Sequence, residues 1–293
     1  MLTIFSIPKT FAGHIGIIQD NAIGSWARLD PSCDIVLVGD DPGVAEAAAR
    51  HKVRHEPHIE RNEFGTPVIA DLFARMDALT RHPLLAFVNA DIILLDDFLP
   101  AVQAIARATA AASAPARFLA VASRFNCRID APLAFEPGWQ ARLRARARKE
   151  NRMYPAGGSD LFVYPRGLFA AVPPFAIGRG YWDNWLMREA RRRGDLIDLT
   201  AVVTAVHHFH GYDTVAGLPP AGAASDRHVY ETQEGRRNLA LAGGRARLYT
   251  VYDSTKIMSK NKGLHSRWHP VHVRRQVKAV LRRQIKSRLV PVK

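Results

Sequence analysis

Four short stretches of this 293-residue chain carry side chains whose types and spacing could do chemistry. The first is Asn89-Ala90-Asp91, which interrupts an apolar run from Leu84 to Leu95. A polar triplet in such a run is costly to bury unless something satisfies it. Ligands of open α/β sheets sit at the carboxyl ends of strands. There, an Asn-x-Asp pair offers two oxygen ligands to Mg²⁺ or Mn²⁺, ions that favour carboxylates together with phosphate oxygens. An Asp that merely caps the next turn would read the same way. The second stretch is His207-His208-Phe209-His210, directly after VVTAV. On a strand, His208 and His210 share one face and His207 takes the other. Imidazole suits Mn²⁺ as well as zinc, but no HExxH spacing supports a zinc hydrolase. A histidine-rich surface loop is the plain alternative. The third stretch, Gly157-Gly158-Ser159-Asp160, precedes LFVYP and combines close backbone approach with a carboxylate at a strand's start. A simple turn with a capping Asp fits it equally. The fourth is Asp183-Asn184, between Trp182 and Trp185 at a helix start. Asp is ordinary at such a position, yet a carboxylate there could also be a general base for a hydroxyl nucleophile. The tryptophans fit either a core or a sugar-stacking surface.

These groups need elements to hold them. Buried strands are expected at residues 2–7, 34–38, 53–55, 118–123 and 161–165, at the interrupted run 84–95, and in the strand-like stretch 196–209. Helical spacing is found over 15–28, 43–50, 66–81, 98–113, 138–150 and 183–194, the last with a glycine stop. Residues 211–226, rich in Gly, Pro and Ala, read as a loop. The alternation argues an α/β fold with a mostly parallel sheet flanked by helices on both sides.

Charge divides the chain. There are 41 Lys and Arg against 27 Asp and Glu, a net of +14. Twelve of the basic residues and none of the acidic ones lie in 256–293, so residues 1–255 hold 29 against 27, a net of +2. The expectation is a catalytic body over 1–255 and a basic extension over 256–293. A near-neutral body argues against nucleic acid as the main partner. Within 271–290, Val273, Val277, Val280, Leu281, Ile285 and Leu289 recur at helical spacing among Arg and Lys. That pattern suits a helix lying on an anionic membrane surface, and equally a helix packed on the body or a solubilising tail. Two distant cysteines, Cys33 and Cys127, make no disulfide framework. The start MLTIFSIPKT lacks the charged-then-apolar form of a signal peptide. The expected location is therefore cytoplasmic, peripheral on the inner face of the membrane.

Taken together, FSIPK (5–9), QDNAIGSW (19–26), VLVGDDPGV (36–44), RNEFGTP (61–67), VNADIILL (88–95), GGSDLFVYPRGLF (157–169), PPFAIGRGYWDNWLM (173–187) and VVTAVHHFHGYD (202–213) form a pattern that resembles GT-A type nucleotide-sugar glycosyltransferases related to glycosyltransferase family 2. The resemblance covers roughly residues 2–250 and implies a GT-A-like fold. It places Asn89-Ala90-Asp91 where relatives carry a DxD motif, with the first Asp replaced by Asn and the metal-ligating Asp91 kept. It implies that His207 or His210 completes the coordination of Mn²⁺ or Mg²⁺. Asp183 matches the expected base of an inverting enzyme. Gly158 and Asp160 border the donor sugar, and Pro8, Asp40 and Asn62 lie in loops around the nucleotide. Lys9 and Arg179 stand by position where cations could help with the diphosphate. The implied reaction moves a sugar from a nucleoside-diphosphate sugar to a hydroxyl of a saccharide acceptor, a glycan or a lipid-linked envelope saccharide. One alternative is a nucleotidyltransferase that makes sugar nucleotides. Against it, SIPKTFAGHIG is a poor match to a Gly-rich, Arg- and Lys-containing loop after the first strand. The other is a non-catalytic polyanion-binding protein acting through the tail.

Overall fold

A computed structural model describes residues 1–110, 116–150, 159–208 and 230–267. In chain order its elements are β1 (Leu2–Ser6), α1 (Gly13–Trp26), β2 (Asp34–Val38), α2 (Val44–His51), β3 (Arg54–Glu56), α3 (Ile69–Leu79), β4 (Leu84–Val88), β5 (Ile92–Leu94), α4 (Phe98–Ala110), β6 (Phe118–Val121), β7 (Arg124–Cys127), α5 (Trp139–Glu150), β8 (Leu161–Pro165), α6 (Trp182–Arg193), β9 (Asp195–Asp198), β10 (Ala205–His208), α7 (Gln233–Leu241), β11 (Lys256–Ser259) and β12 (Gly263–Ser266).

Nine strands form one sheet in the order β12-β11-β9-β6-β8-β4-β1-β2-β3. Five of its eight pairings are parallel; those of β8 with β4 and β6, and of β12 with β11, are antiparallel. The central strands are apolar on both faces because both faces are covered. In β4, Leu84, Ala86 and Val88 enter the core that includes Trp26 of α1 and Phe98 of α4. Leu85 and Phe87 enter the opposite core, with Phe73 of α3 and Trp185 of α6. This explains why the strands show continuous hydrophobic runs rather than alternation.

The reversal of β8 matters for the site. Because β8 runs against β4, its first residues lie beside the last residues of β4, Val88 pairing with Leu161. The run 84–95 is not one strand. It leaves the main sheet after Val88, turns through Asn89–Asp91 with the Ile92 N–H bonded to the Asn89 carbonyl (3.0 Å), and continues as β5 in a second sheet, β5-β10-β7. Helix α1 backs that second sheet. Trp26 Nε1 donates to the Ile92 carbonyl at 2.8 Å, and the Leu94 N–H donates to Ser25 Oγ at 3.1 Å.

The boundary expected at residue 255 cuts through the main sheet. β11 pairs with β9 and β12 with β11, and Met258 is buried. Two of the first four basic residues of the expected extension are matched by acids of the body: Lys256 Nζ lies 2.7 Å from Asp195, and Arg267 2.5 Å from Asp198. The fold therefore continues through Ser266. The expected amphipathic helix at 271–290, the loop at 211–226, and Gly157, Gly158 and His210 lie outside the described residues. Among the described residues, no helix is long and apolar enough to cross a membrane.

Candidate active site at the strand ends

Asp91 sits in the turn between β4 and β5, and His207 lies on β10. The small sheet puts His207 opposite Ile92, the residue after Asp91. As a result His207 Nε2 stands 3.3 Å from Asp91 Oδ2, with the imidazole 8% and the carboxylate 24% exposed. An imidazole nitrogen and a carboxylate oxygen so placed fit a divalent cation of the Mn²⁺ or Mg²⁺ kind, whose ligands at roughly 2.1 Å stand on the order of 3 Å apart. Among the described residues no group of three His, Cys, Asp or Glu side chains gathers at one point. Among the described residues, Asp91 and His207 could hold such a cation together with oxygens of a bound ligand.

Asn89 does something other than join that pair. Its Nδ2 donates to Asp160 Oδ1 at 2.6 Å, and its backbone N–H donates to the Asp160 carbonyl at 2.9 Å. The other Asp160 oxygen takes a guanidinium N–H of Arg124, at the start of β7. Asp160 and Arg124 are each only 12% exposed at the side chain. Asp160 is thereby fixed from both sides, by an amide and by a cation.

Asp183 opens α6, in the first turn after Tyr181, whose φ of 68° is left-handed. Its neighbour Trp182 wedges between Phe87 of β4 (5.4 Å between centroids) and Phe162 of β8 (5.3 Å). Contacts of this kind stabilise by roughly 0.5–1.5 kcal/mol each beyond their buried area. Trp182 and Trp185 are 5% and 7% exposed, so both belong to the core rather than to a sugar-stacking surface. They anchor the helix start and hence Asp183. Burial pushes the Asp183 carboxyl up to about 7, and the nearby Asp160 charge adds to this against backbone N–H groups of Asn184 and Ser159. Asp183 retains some contact with solvent. It is a carboxyl enclosed by protein yet still reachable, poised near neutrality as a general base must be. The Ser159 hydroxyl beside it is buried and has no hydrogen-bond partner among the described residues.

Pro8 and Lys9 follow β1. Gln19 of α1 holds this loop by accepting from the Lys9 N–H at 2.7 Å and donating to the Lys9 carbonyl at 2.8 Å. Lys9 is exposed, yet the protein around it disfavours its charged form. Its pKa is lowered by these surroundings; Asp91 opposes that shift and Arg179 adds to it. Lys9 thus feels the charges of both Asp91 and Arg179.

The nucleotide-loop residues divide. Asp40 is exposed and paired with Arg61 (2.8 Å), which also bonds Asp41 at 2.7 Å. Arg61 holds the Asp40 carboxyl below its ordinary range. Asn62 is committed internally: its Oδ1 accepts from the N–H groups of Phe64 and Thr66, both at 3.0 Å, and its Nδ2 donates to Glu234 at 2.7 Å. Arg124, Gln19 and Glu234 have no counterpart in the sequence reading. Arg124 offered only the signal of an Arg just past a buried strand. Glu234 looks like any acid in a first helical turn. Two clefts of 530 and 370 Å³ lie elsewhere, and none of these site residues lines either of them.

No family model matches the sequence, and no curated protein does. Solved structures do match the fold. Residues 1–349 of S. aureus TarS, in complex with UDP-GlcNAc, align with a TM-score of 0.52 at 11% identity, over 84% of this chain and 68% of that one. The chain has the GT-A fold. GalNAc-T7, solved with UDP, GalNAc and Mn²⁺, aligns with a TM-score of 0.50 at 12% identity, over 83% of this chain and 48% of that one. This GT-A chain spans about half to two thirds of the length of four of the solved structures it matches, those of TarS residues 1–349, PcManGT and GalNAc-T7.

Proposed function

We propose that this GT-A chain transfers a sugar from a nucleoside-diphosphate sugar to a hydroxyl acceptor, with inversion at the anomeric carbon. The observation that carries this is the convergence, at the C-terminal end of β4, of the Asp91–His207 pair with the fixed Asp160 and the near-neutral Asp183. The first pair suits a cation and a diphosphate; the second suits a sugar and an acceptor. The neighbours solved with UDP-GlcNAc, or with UDP, GalNAc and Mn²⁺, support the same donor class.

In this reading Asp91 and His207 hold Mn²⁺ or Mg²⁺, which when bound offsets the charge growing on the departing diphosphate. Lys9, whose charge interacts with that of Asp91, adds a positive charge nearby. Asp160, oriented by Asn89 and Arg124, accepts hydrogen bonds from donor sugar hydroxyls. Asp183 takes the proton of the acceptor hydroxyl as that oxygen bonds the anomeric carbon. The bond from that carbon to the diphosphate oxygen breaks, and its electron pair leaves with the diphosphate. Asp183 must be ionised to act, so the rate should rise with pH up to about 7, the value its burial sets.

The decisive experiment is a screen of UDP-, GDP-, ADP- and CDP-sugars for Mn²⁺-dependent binding and slow hydrolysis, with Asp91→Ala alongside. We expect one donor class to bind, and Asp91→Ala to weaken its Mn²⁺-dependent binding by about 100-fold or more. Equal binding and turnover by Asp91→Ala would remove the metal assignment. Formation of a nucleotide sugar from a nucleoside triphosphate would instead favour a nucleotidyltransferase. We also propose that residues 271–290 hold the enzyme at an anionic membrane, where a lipid-linked acceptor would be found. Deleting 268–293 should abolish sedimentation with anionic vesicles while soluble-substrate activity persists; unchanged vesicle binding would sink that proposal.

A further inference from the structure

The 370 Å³ cleft lies at the opposite end of the main sheet from Asp91, where β6 begins and where β8 and α6 end. Strand β4 runs between the two ends. Leu84 at its start pairs with Pro165, which lines the cleft, and Val88 at its end leads into Asn89–Asp91. Its five residues put roughly 15 Å between cleft and candidate active site. Arg117, Arg166 and Arg193 line the cleft, and no acid is among its described lining residues. The volume suits a small ligand.

The fold holds these arginines from three different elements. Arg117 stands just before β6. Its carbonyl accepts from the Asp195 N–H at 2.9 Å, and a Cβ on Gly194 would fall 1.9 Å from that oxygen, so only glycine lets the chain after α6 pass so close. Arg166 follows β8. Its N–H donates to the Pro83 carbonyl at 2.9 Å, and its Nη1 to the Thr80 carbonyl at 3.0 Å. Arg193 ends α6, with Nε donating to Glu189 at 2.8 Å and Nη1 to the Leu168 carbonyl at 3.1 Å. A guanidinium has five N–H donors. These bonds use one in Arg166 and two in Arg193, and among the described residues no hydrogen bond or ion pair holds the Arg117 side chain.

Like charges in one cleft repel, and the acids near it do not balance them. Glu189 serves Arg192 as well as Arg193, each at 2.8 Å. Asp77 accepts from the Gly167 N–H at 3.2 Å, and burial draws it toward its neutral form while the Arg166 charge opposes this. With both acids ionised, these four arginines still leave an excess of two positive charges. A carboxylate would bring one negative charge and two oxygens. A phosphate monoester brings close to two charges on three terminal oxygens, and guanidinium forks match such oxygens in pairs. The monoester fits both the charge and the number of forks.

We propose that this cleft binds a phosphate monoester, with Arg117, Arg166 and Arg193 donating to its terminal oxygens. The site is separate from the donor site and independent of the glycosyltransferase reading. The same chemistry is carried by soluble phosphorylated compounds and by the headgroup of phosphatidic acid.

The test follows binding of glycerol 3-phosphate, inorganic phosphate, glycerol and acetate to the full chain by calorimetry, with EDTA present so that no divalent cation holds phosphate elsewhere. The variants are Arg117→Ala, Arg117→Ala/Arg166→Ala, and Arg128→Ala/Arg142→Ala, the last a charge-matched pair of exposed arginines outside the cleft. Both phosphates should bind, with glycerol and acetate at least about tenfold weaker. Arg117→Ala should melt as wild type does and weaken glycerol 3-phosphate binding about 10-fold, and the cleft pair about 100-fold. The control pair should change it less than about twofold, and Asp91→Ala should leave it unchanged. Vesicles containing phosphatidic acid, against pure phosphatidylcholine, distinguish the sources. Retention lost by the cleft pair and kept by the control pair puts the phosphate on a lipid. Equal retention by both pairs, with glycerol 3-phosphate binding still dependent on the cleft, puts it on a soluble compound. Absence of phosphate binding by wild type at millimolar concentration would overturn the proposal. So would equal losses in the two pairs, or a loss in Asp91→Ala with none in the cleft variants. Mn²⁺-dependent donor binding should be the same in the cleft pair as in wild type, so neither reading falls with the other.

Discussion

Asp183→Asn is expected to yield a protein that no longer transfers sugar and that is more stable than wild type above about pH 7. Both effects come from the burial that lifts the Asp183 carboxyl from 3.8 to about 7. Between those values the folded protein holds a proton that the unfolded chain has released. Stability therefore falls as pH rises through that window, and the full cost is present above its upper end. Asn stays neutral throughout and can still accept from the Ser159 and Asn184 N–H groups. The gain at about pH 8 should be on the order of 2–4 kcal/mol, the lower end reflecting the solvent contact that Asp183 keeps. Below the unfolded-state value the two proteins should be equally stable. Removal of the base should lower transfer by roughly 10²–10⁴ while donor affinity stays. Denaturant titrations at acid and alkaline pH, paired with a transfer assay, check both effects. Retained transfer would remove Asp183 as base, and equal stability at alkaline pH would show that its carboxyl is not held up by burial.

Asn89→Asp restores the acid usual at this position in the resembling enzymes, yet here it should be harmful. The Asn89 amide donates to Asp160 Oδ1 at 2.6 Å. A carboxylate in its place sets two acceptors against each other, and they can stay that close only by sharing a proton. Arg124 can balance one negative charge of the pair and not both. The shared proton raises the pair's titration above that of free carboxylates, so stability falls as pH rises toward neutrality. We expect a loss of about 2–3 kcal/mol at neutral pH, little change near about pH 4, and at least a tenfold drop in transfer. A variant as stable and as active as wild type at neutral pH would show that the amide does not set the position of Asp160.

What could be read from the sequence was what leaves a local mark. The interruption of Leu84–Leu95 by Asn89-Ala90-Asp91 is visible because a polar triplet in an apolar run has no cheap explanation. Asp160 and Asp183 are visible because each stands at the edge of a hydrophobic segment. The reversal of β8 left no mark, since a strand buried on both faces is apolar whichever way it runs. The division of 84–95 between two sheets was hidden for the same reason. Arg124 and Glu234 depend on partners 36 and 55 residues away, Asp160 and Arg179. No spacing rule links such pairs; only the register of the strands and the seat of α7 bring them together. Composition misled at residue 256, where a basic stretch looked detached from the body. Acids of β9 pair with Lys256 and Arg267, and its backbone completes the edge of the sheet.

The small sheet makes length the quantity to conserve around His207. β10 is its middle strand, so its frame is set twice, by Ile92 on one side and Asn126 on the other. Just ahead of it, Thr204 is tied to Asp97 through both its N–H (3.0 Å) and its hydroxyl (2.7 Å). The interval between that anchor and His207 is therefore counted in whole residues. A slip of one would send the imidazole to the opposite face. Descendants of this gene can exchange one apolar side chain for another along β10 at modest cost. Gaining or losing a single codon between Thr204 and His207 would part the histidine from Asp91 without altering either residue.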